Sequence, residues 1–366
     1  MKYLISGGGT GGHIYPALAI AKEIKNKNKD AEILYVGTEK GLESELVPKE
    51  GINFTTIRVN YMPRKLSIDS LIALKELFIG LRQSKKIIKD FEPDIVIGTG
   101  GFVSGPILYM AAKRKIPTVV HEQNALPGIT NKILSRYVDK IAVTFEDATK
   151  HFKYSDRVVF TGNPVRKEIL DIDRDQAYKD LKIDRKLPLV LSFGGSGGQK
   201  KLNDAIKDIL INNRFNQRIQ LIHITGTRMY DDFMKELREN DVKLKNNIQI
   251  LPYLYDMPKA LNIADIVIAS SGAITMAEIS AIGVGSILIP KAYTAENHQE
   301  HNARSYEKAG ASLVILEKDL NGKILSKNII DLLDNKSKLG TMAINSKKLA
   351  NIDATNDIIE IIDKLL

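Results

Sequence analysis

Short apolar runs alternate with longer amphipathic stretches along almost the whole chain. In the first half, the apolar runs predict strands near residues 2–6, 31–36, 54–59, 94–98, 118–121 and 140–144. The stretches between them predict helices around residues 14–27, 67–89, 104–114 and 128–137. This alternation is typical of a parallel sheet that is covered by helices on both faces.

The same alternation begins again after Asp184. Further strands are predicted near residues 187–193, 219–224, 248–251, 266–269, 286–289 and 312–315, and the tail from Ser326 is predicted to be helical. The predicted fold class is α/β, with two Rossmann-like, doubly wound domains that face one another across a cleft. We expect the first domain to cover residues 1–163 and the second residues 164–344. A C-terminal helix at about residues 345–366 is expected to pack back on the first domain.

A glycine-rich loop joins the first predicted strand to the first predicted helix. It reads Ser6-Gly7-Gly8-Gly9-Thr10-Gly11-Gly12-His13. Backbone N–H groups at a helix N-terminus attract anions, and glycine lets the backbone approach them closely. The loop therefore predicts a phosphate or pyrophosphate site, and a tight turn that needs glycine only for its shape is the alternative. A dinucleotide site is disfavoured, because the second strand ends in Gly37 and Thr38 rather than in an acidic residue.

Later segments have the same character. A second glycine loop at residues 98–106 follows the fourth strand and would lie beside the first loop. His121-Glu122-Gln123-Asn124 follows the fifth strand, at the end where parallel sheets hold ligands. A third glycine loop occupies residues 194–198, and the helix after the strand at 266–269 is predicted to have Ser271 as its N-cap. Glu278 on that helix has small or apolar neighbours in sequence. Two interpretations remain open, a carboxylate that binds a ligand and a carboxylate that is solvated on the helix surface.

Composition narrows the function classes. The chain has 366 residues, a formal net charge of +9 and no cysteine, so disulfides and thiolate zinc sites are excluded. Aromatic residues make up 6% and tryptophan is absent, so a stacking platform for nucleic acid is not expected. No signal peptide is recognisable, and glycine and proline interrupt the uncharged run at 95–112, so we expect a cytoplasmic protein without a membrane span.

Seven segments resemble the MurG family of bacterial glycosyltransferases, in that family's order and along the whole chain. They are Gly-Gly-Gly-Thr-Gly-Gly-His at 7–13, Gly-Thr-Gly-Gly-Phe-Val-Ser-Gly-Pro at 98–106, His-Glu-Gln-Asn at 121–124, Gly-Asn-Pro-Val-Arg at 162–166, Gly-Gly-Ser-Gly-Gly at 194–198, Ser-Gly-Ala-Ile-Thr-Met-Ala-Glu at 271–278 and His-Gln-Glu-His-Asn-Ala at 298–303. The chain departs from the family at Gln199, Phe102 and Gly285, where alanine, tyrosine and proline are common.

The resemblance implies the GT-B glycosyltransferase fold. It implies inverting transfer of N-acetylglucosamine (GlcNAc) from UDP-GlcNAc to the 4-hydroxyl of the muramyl sugar of undecaprenyl-pyrophosphoryl-MurNAc-pentapeptide (lipid I). The product would be lipid II, which is used in peptidoglycan synthesis. The implied partners are therefore the donor, the lipid-linked acceptor and the cytoplasmic face of the cell membrane, with other cell-wall enzymes as further candidates. Nucleic acid and cofactors are not expected.

The resemblance also implies roles for individual residues. On the donor side, Glu278 would bind the ribose hydroxyls and the backbone near Leu254 would meet the uracil. Ser196 would hold the diphosphate together with the helix start at Ala273, Ile274 and Thr275. Gln299 and Asn124 would bind the sugar, and Arg166 would reach the donor from the turn between the domains. The implied acceptor and phosphate residues lie in the first two glycine loops, and they are Thr10, Gly11, Gly12, Gly100 and Gly101.

Inversion requires one in-line displacement, in which a base takes the proton of the attacking hydroxyl. His13 is the candidate base, and a histidine that only packs the loop is the alternative. No metal site is predicted, because no Asp-x-Asp motif offers a metal platform and the pair His298 and His301 is a poor signal. A sugar-nucleotide epimerase, a transferase with a soluble acceptor and a non-enzymatic basic protein remain as rival classes.

The helix predicted from Ser67 to Lys89 carries more apolar surface than one core requires. Its large apolar residues cover roughly 220° of a helical wheel, whereas packing on one core needs about 100°. Basic residues surround them, namely Arg64, Lys65, Lys75, Arg82, Lys85, Lys86 and Lys89. This pattern is typical of a protein that rests peripherally on an anionic membrane surface, and burial under a neighbouring loop is the alternative.

Overall fold

The computed structural model of the chain describes residues 1–61, 68–195, 197–215 and 218–366, without the side chains of Ile68, Lys167 and Ala295. The chain separates into two units. Unit 1 consists of Met1–Val165 and Asn351–Leu366, and unit 2 consists of Arg166–Ala350. The chain therefore passes between the units twice, once after Val165 and once after Ala350.

A parallel sheet with the strand order β3-β2-β1-β4-β5-β6-β7 forms the centre of unit 1. Its strands are β1 (Lys2–Gly7), β2 (Glu32–Gly37), β3 (Asn53–Thr56), β4 (Ile95–Gly100), β5 (Thr118–Glu122), β6 (Lys140–Val143) and β7 (Val158–Phe160). The helices of this unit are α1 (Gly11–Lys27), α2 (Glu43–Lys49), α3 (Ile68–Phe91), α4 (Ser104–Lys113), α5 (Ile129–Leu134) and, after the return of the chain, α14 (Ala354–Asp363). Short 3-10 helices lie at Glu146–His151 and Ser155–Arg157.

Unit 2 repeats this architecture with the strand order β10-β9-β8-β11-β12-β13, again parallel. Its strands are β8 (Leu189–Phe193), β9 (Gln220–Ile224), β10 (Ile248–Leu251), β11 (Ile266–Ala269), β12 (Gly285–Leu288) and β13 (Ser312–Val314). Its helices are α6 (Arg174–Asp180), α7 (Lys200–Ile211), α8 (Tyr230–Glu239), α9 (Met257–Ile263), α10 (Ala273–Ile282), α11 (His298–Lys308), α12 (Gly322–Asp334) and α13 (Lys336–Lys348). Short 3-10 helices lie at Lys167–Ile169, Thr227–Met229 and Ala295–Asn297.

Each sheet is apolar on both faces, as the continuous runs in the sequence predict. In unit 1, α1 and α14 cover one face, where Ile14, Ile20 and Ile358 are fully buried among the strand residues. The helices α3, α4 and α5 cover the other face through residues such as Ile88 and Leu108. None of the described helices is long and apolar enough to cross a lipid bilayer.

The structure differs from the predicted elements in several places. The short helix α2 was not predicted, because it contains Pro48 and only one fully buried apolar residue, Val47. The third strand ends at Thr56 rather than near residue 59. The C-terminal region predicted as one helix over about residues 345–366 is divided, since α13 ends at Lys348 and α14 begins at Ala354.

His223 provides a test of the core of unit 2. This residue is fully buried in β9, with its Nδ1 atom 3.1 Å from the hydroxyl of Ser192, and burial lowers its pKa to about 3. Between pH 6.5 and about 3, the unfolded chain therefore binds a proton that the folded chain does not bind. The free energy of unfolding should fall as the pH drops below 6.5, by about 2 kcal/mol at pH 5 from this residue alone.

Urea unfolding of the full chain at pH 7.5 and pH 5 measures this effect. In the variant His223→Gln, the difference in the free energy of unfolding between pH 7.5 and pH 5 should be about 2 kcal/mol smaller than in the wild type. Replacement of the exposed His301 by glutamine provides the control and should leave the difference unchanged. Equal pH dependence in wild type and His223→Gln would contradict the buried, neutral state of His223.

Candidate functional site

The first two glycine loops of unit 1 lie in contact, as predicted, because β1 and β4 are neighbours in the sheet. The amide of Gly8 donates to the carbonyl of Gly100 at 3.3 Å, and the hydroxyl of Thr99 donates to the carbonyl of His13 at 2.7 Å. A Cβ atom at Gly101 would lie 2.4 Å from the carbonyl oxygen of Gly8. The two loops therefore lie so close together that only glycine fits at position 101.

His13 lies where these two loops meet. Its Nδ1 atom is 2.8 Å from the carbonyl oxygen of Gly8, which can only accept, so Nδ1 carries the hydrogen and Nε2 has the lone pair. A Cβ atom at Gly100 would lie 3.1 Å from Nε2, so the ring lies against the second loop. Burial lowers the pKa of His13, although the Gly8 carbonyl and the charge of Glu43 oppose this effect. The ring is therefore neutral at pH 7, in the form that accepts a proton at Nε2.

The predicted acceptor residues lie beside this histidine. Helix α1 begins at Gly11 with Thr10 as its N-cap, and the Thr10 side chain makes no capping hydrogen bond. The hydroxyl of Thr10 is 3.5 Å from Nδ1 of His13. Amide groups in the first turn of a helix have no intrahelical acceptor, so those of Gly11 and Gly12 suit an anion. The structure thus brings the first-loop residues together with His13.

The segment after β5 is organised by Glu122. Its buried carboxylate accepts from the backbone and the side-chain amide of Asn124, at 2.9 and 3.2 Å, and from Gly128 N and Asn131 Nδ2, at 3.1 and 2.8 Å. Burial raises the pKa of Glu122, and these four hydrogen bonds oppose that shift. Asn124 itself is half-buried. The carboxylate therefore fixes the predicted donor residue Asn124.

His121 precedes Glu122, and both of its ring nitrogens have hydrogen-bond partners within the protein. Burial lowers its pKa to about 4, and its Nε2 lies 3.1 Å from the carbonyl of Gly162. Its Nδ1 is 3.0 Å from Nε2 of Gln123, and the same amide donates to the carbonyl of Thr99 at 2.8 Å. The neutral His121 and Gln123 therefore connect the end of β5 to the second glycine loop.

In unit 2, the third glycine loop follows β8. The predicted diphosphate residue Ser196 lies outside the described residues. The side chain of Lys291 donates to the carbonyl of Gly198 at 2.7 Å, and burial lowers the pKa of Lys291. The fully buried Gln199, where the family has alanine, donates from Nε2 to Glu317 at 2.8 Å and to the carbonyl of Ile289 at 3.1 Å.

Lys291 and Glu317 were not predicted as site residues. Lys291 follows Pro290 just beyond the carboxyl end of β12, a position that could have identified it. Glu317 accepts from the amide of Ala292 at 3.1 Å, and no local pattern in the sequence indicates this contact. Both residues fix the backbone of loops at the carboxyl edge of the sheet.

The prediction of Ser271 as an N-cap is wrong. Gly272 is the N-cap of α10, and the Ser271 hydroxyl instead donates to the backbone carbonyl of Gln299 at 2.7 Å. The side chain of Asn302 donates to the carbonyl of Ser271 at 3.2 Å. Helix α11 therefore anchors the loop before α10. The predicted residues Ala273, Ile274 and Thr275 form the first turn of α10, where helix N–H groups have no intrahelical acceptor.

Glu278 and Arg166, two predicted donor residues, form an ion pair within unit 2. Arg166 donates to Oε1 of Glu278 from Nε at 3.0 Å and from Nη2 at 2.7 Å. The carboxylate is buried and the arginine side chain is half-exposed. Burial raises the pKa of Glu278, and the arginine opposes that shift. A solvated carboxylate, the alternative interpretation of Glu278, is therefore wrong.

The two remaining predicted donor residues lie at the same edge of the sheet of unit 2. Gln299 is buried at the start of α11, and its side-chain oxygen accepts from the amide of Lys291 at 3.1 Å. Leu254 lies between β10 and α9, flanked by the exposed tyrosines Tyr253 and Tyr255, whose ring centroids are 4.8 Å apart. Among the described residues, no group of three or more histidine, cysteine or acidic side chains could hold a metal ion.

Two doubly wound parallel sheets, each with a glycine loop and helix N-termini at the carboxyl ends of its strands, are the architecture of the GT-B glycosyltransferases. Residues 3–143 match the profile of the glycosyltransferase family 28 N-terminal domain, and residues 189–358 match that of the family's C-terminal domain. The chain belongs to glycosyltransferase family 28.

Comparison with individual proteins agrees with this assignment. The chain is 51% identical to the UDP-N-acetylglucosamine–N-acetylmuramyl-(pentapeptide) pyrophosphoryl-undecaprenol N-acetylglucosamine transferase of Acetivibrio thermocellus, over 100% of this chain and 98% of that protein. MurG from Acinetobacter baumannii, known from a crystal structure, is 28% identical to this chain in sequence. The two structures match with a TM-score of 0.78 over 100% of both chains. A UDP-GlcNAc 2-epimerase from Neisseria meningitidis shares the fold at 15% identity, with a TM-score of 0.69 and 100% coverage of both chains.

Proposed function

We propose that the chain transfers GlcNAc from UDP-GlcNAc to the 4-hydroxyl of the muramyl sugar of lipid I, with inversion at the anomeric carbon. The relative from Acetivibrio thermocellus is similar over the whole chain, and the substrates in its name support this assignment. The observation that carries the proposal is the neutral His13 beside two glycine loops that suit an anion. A base next to a pyrophosphate site is what a lipid-pyrophosphate acceptor requires.

The UDP portion of the donor is assigned to unit 2, and Asn124 of unit 1 is proposed to contact the sugar. The diphosphate would meet the first turn of α10 at Ala273, Ile274 and Thr275, with Ser196 as a further predicted contact. The amides of that turn and the positive end of the helix stabilise the negative charge that develops on the departing UDP. The side-chain oxygen of Gln299 is engaged by Lys291, so its NH₂ group would donate to a hydroxyl of the sugar.

The remaining donor contacts follow the same logic. Glu278 would accept from the ribose hydroxyls, because a buried carboxylate with a flexible arginine partner can exchange one donor for another. The backbone near Leu254 would meet the uracil, and Arg166 and Asn124 complete the proposed donor set. The acceptor pyrophosphate is assigned to Thr10, Gly11, Gly12, Gly100 and Gly101.

The proposed chemical step is a single displacement. The muramyl 4-hydroxyl attacks the anomeric carbon, its proton passes to Nε2 of His13, and the bond to UDP breaks on the opposite face of the sugar. Nδ1 donates its hydrogen bond to the carbonyl of Gly8 throughout the step, and this hydrogen bond stabilises the imidazolium that forms.

An epimerase shares the fold, so the reaction class needs a direct assay. Purified protein is incubated with labelled UDP-GlcNAc and a short-chain analogue of lipid I, and the products are separated. We expect labelled GlcNAc to appear in the lipid-linked product only when the acceptor is present. Conversion of UDP-GlcNAc to its 2-epimer, or transfer to a soluble sugar with no lipid-linked acceptor, would contradict the proposal.

His13→Ala should lower kcat by roughly 10²–10⁴ and leave the Kd for UDP unchanged, because the base is lost and the UDP portion of the donor is assigned to unit 2. In the wild type, kcat/KM should fall on the acid side with an apparent pKa below 6.5, since burial lowers the pKa of His13. Replacement of the exposed His151 by alanine is the control and should preserve kcat. Wild-type turnover in His13→Ala would contradict the assignment of His13 as the base.

We further propose that α3 docks the chain peripherally on the cytoplasmic face of an anionic membrane, where lipid I would lie. The exposed apolar side chains Leu71, Ile72, Leu74 and Phe78 are 69%, 48%, 43% and 60% exposed. The buried stripe of the same helix consists mainly of small residues, and a Cβ atom at Gly80 would lie 2.6 Å from the carbonyl of Arg58. Small residues thus make up most of the buried stripe, while these four large apolar residues lie on the exposed side of the helix.

The charges on α3 support a lipid partner. Lys75, Arg82, Lys85, Lys86 and Lys89 are all exposed. The predicted basic residues Arg64 and Lys65 lie outside the described residues. Lysine and arginine around an apolar surface suit the headgroups of an anionic leaflet.

Co-sedimentation with vesicles of phosphatidylglycerol and phosphatidylcholine tests this surface. We expect binding that weakens as salt rises, because the electrostatic contribution is screened. Leu74→Glu combined with Phe78→Glu should abolish it, whereas Ile344→Glu, at an exposed apolar position of unit 2, should not. Unchanged sedimentation of the folded double variant would show that the docking surface lies elsewhere.

A further inference from the structure

Glu43, at the start of α2, is a fully buried carboxylate behind the first glycine loop. One of its oxygens accepts from the amide and the hydroxyl of Thr38, at 3.0 and 2.7 Å. The other accepts from the amide of Gly9 at 3.1 Å. The carboxylate therefore joins the end of β2 to the loop that carries the predicted phosphate site.

Three glycines, one in the first loop and two shortly before α2, make room for this side chain. A Cβ atom at Gly8, Gly37 or Gly41 would lie 2.4, 2.5 or 2.2 Å from an atom of the Glu43 side chain. Any side chain at these positions would displace the glutamate. The glycines of the first loop therefore serve the buried carboxylate as well as an approaching anion.

The peptide group between Gly8 and Gly9 links Glu43 to His13. Its N–H donates to Glu43, and its carbonyl accepts from Nδ1 of His13 at 2.8 Å. A peptide group is planar, and its N–H and C=O point in opposite directions. The carboxylate and the imidazole therefore hold the two ends of one rigid group, and rotation of that group would break both hydrogen bonds.

We propose that Glu43 is a positioning residue for the transfer reaction: through the Gly8–Gly9 peptide it holds His13 with Nδ1 protonated and Nε2 directed to accept the proton of the acceptor hydroxyl. This inference rests on the proposed role of His13 as the base. Glu43 does not touch the substrate. It acts by fixing the carbonyl that determines the tautomer and the orientation of the ring.

The ionisable group that influences the titration of His13 is Glu43, and His121 is the other ionisable group near the ring. The charge of Glu43 raises the pKa of His13 against the larger effect of burial. Burial lowers the pKa of His121 to about 4, so His121 is neutral at pH 7. Removal of the charge at residue 43 should therefore lower the pKa of His13 further.

Glu43→Gln tests the inference, because an amide keeps the volume but has one acceptor oxygen instead of two. We expect kcat to fall roughly tenfold to a hundredfold with the KM for UDP-GlcNAc unchanged, since the ring is misplaced and the UDP portion of the donor is assigned to unit 2. The acid limb of kcat/KM should move to lower pH. NMR titration of the His13 Cε1 proton should show a lower pKa in the variant than in the wild type.

Asp139→Asn is the matched control. Asp139 accepts from the amide and the hydroxyl of Thr118, at 2.9 and 2.8 Å, as Glu43 does from Thr38. Thr118 begins its strand, whereas Thr38 follows the end of β2, so this pair lies at the opposite edge of the sheet. Asp139→Asn should leave the pKa of His13 and the acid limb of kcat/KM at their wild-type values. If the effects of Glu43→Gln came only from a general loss of stability, Asp139→Asn would show them as well.

Glu43→Gln with wild-type kcat and an unchanged His13 titration would overturn the inference. If Glu43→Gln does not fold, Thr38→Val decides, because it removes only one hydrogen bond to the carboxylate. A reduced kcat with an unchanged KM for UDP-GlcNAc in Thr38→Val supports the inference, and a wild-type kcat overturns it. Failure of the proposed function is seen separately, as full turnover in His13→Ala, while the NMR titration still measures the coupling of Glu43 to His13.

Discussion

Buried carboxylates that accept from loop N–H groups hold the carboxyl edges of both parallel sheets. Glu43 binds the amides of Gly9 and Thr38, Glu122 binds those of Asn124 and Gly128, and Glu317 binds that of Ala292. A carboxylate without such donors would cost several kcal/mol to bury, so each loop can adopt only conformations that supply them. The first glycine loop and the loops after β5 and β12 are thereby fixed in shape before any ligand arrives, which is the condition for aiming backbone dipoles at an anion.

Glu278 is buried like these three glutamates but has a different kind of partner. It accepts two hydrogen bonds from the side chain of Arg166, which is half-exposed. A backbone amide cannot leave its acceptor without moving a loop, whereas an arginine side chain can rotate. This difference in hydrogen-bond partners distinguishes the carboxylate that we assign to the ribose from the three that hold the loops.

The sequence predicted the alternation of strands and helices well, because parallel strands with two buried faces read as continuous apolar runs. The contact between the first two glycine loops followed from strand order. The contacts that organise the loops did not follow, since they join residues far apart in sequence. Glu43 was missed because α2 is short and contains a proline, and Ser271 was misassigned because its hydroxyl binds a carbonyl of α11 rather than its own helix.

The assignment of Glu278 to the donor ribose is tested most directly by a binding cycle. The Kd values for UDP and 2′,3′-dideoxy-UDP are measured by calorimetry in the wild type and in Glu278→Ala, after circular dichroism has confirmed that the variant is folded. We expect the wild type to bind UDP roughly tenfold to a hundredfold more tightly than the dideoxy compound, because hydrogen bonds to a charged group are lost. Glu278→Ala should bind both about equally. A variant that keeps the wild-type preference for UDP would contradict the account.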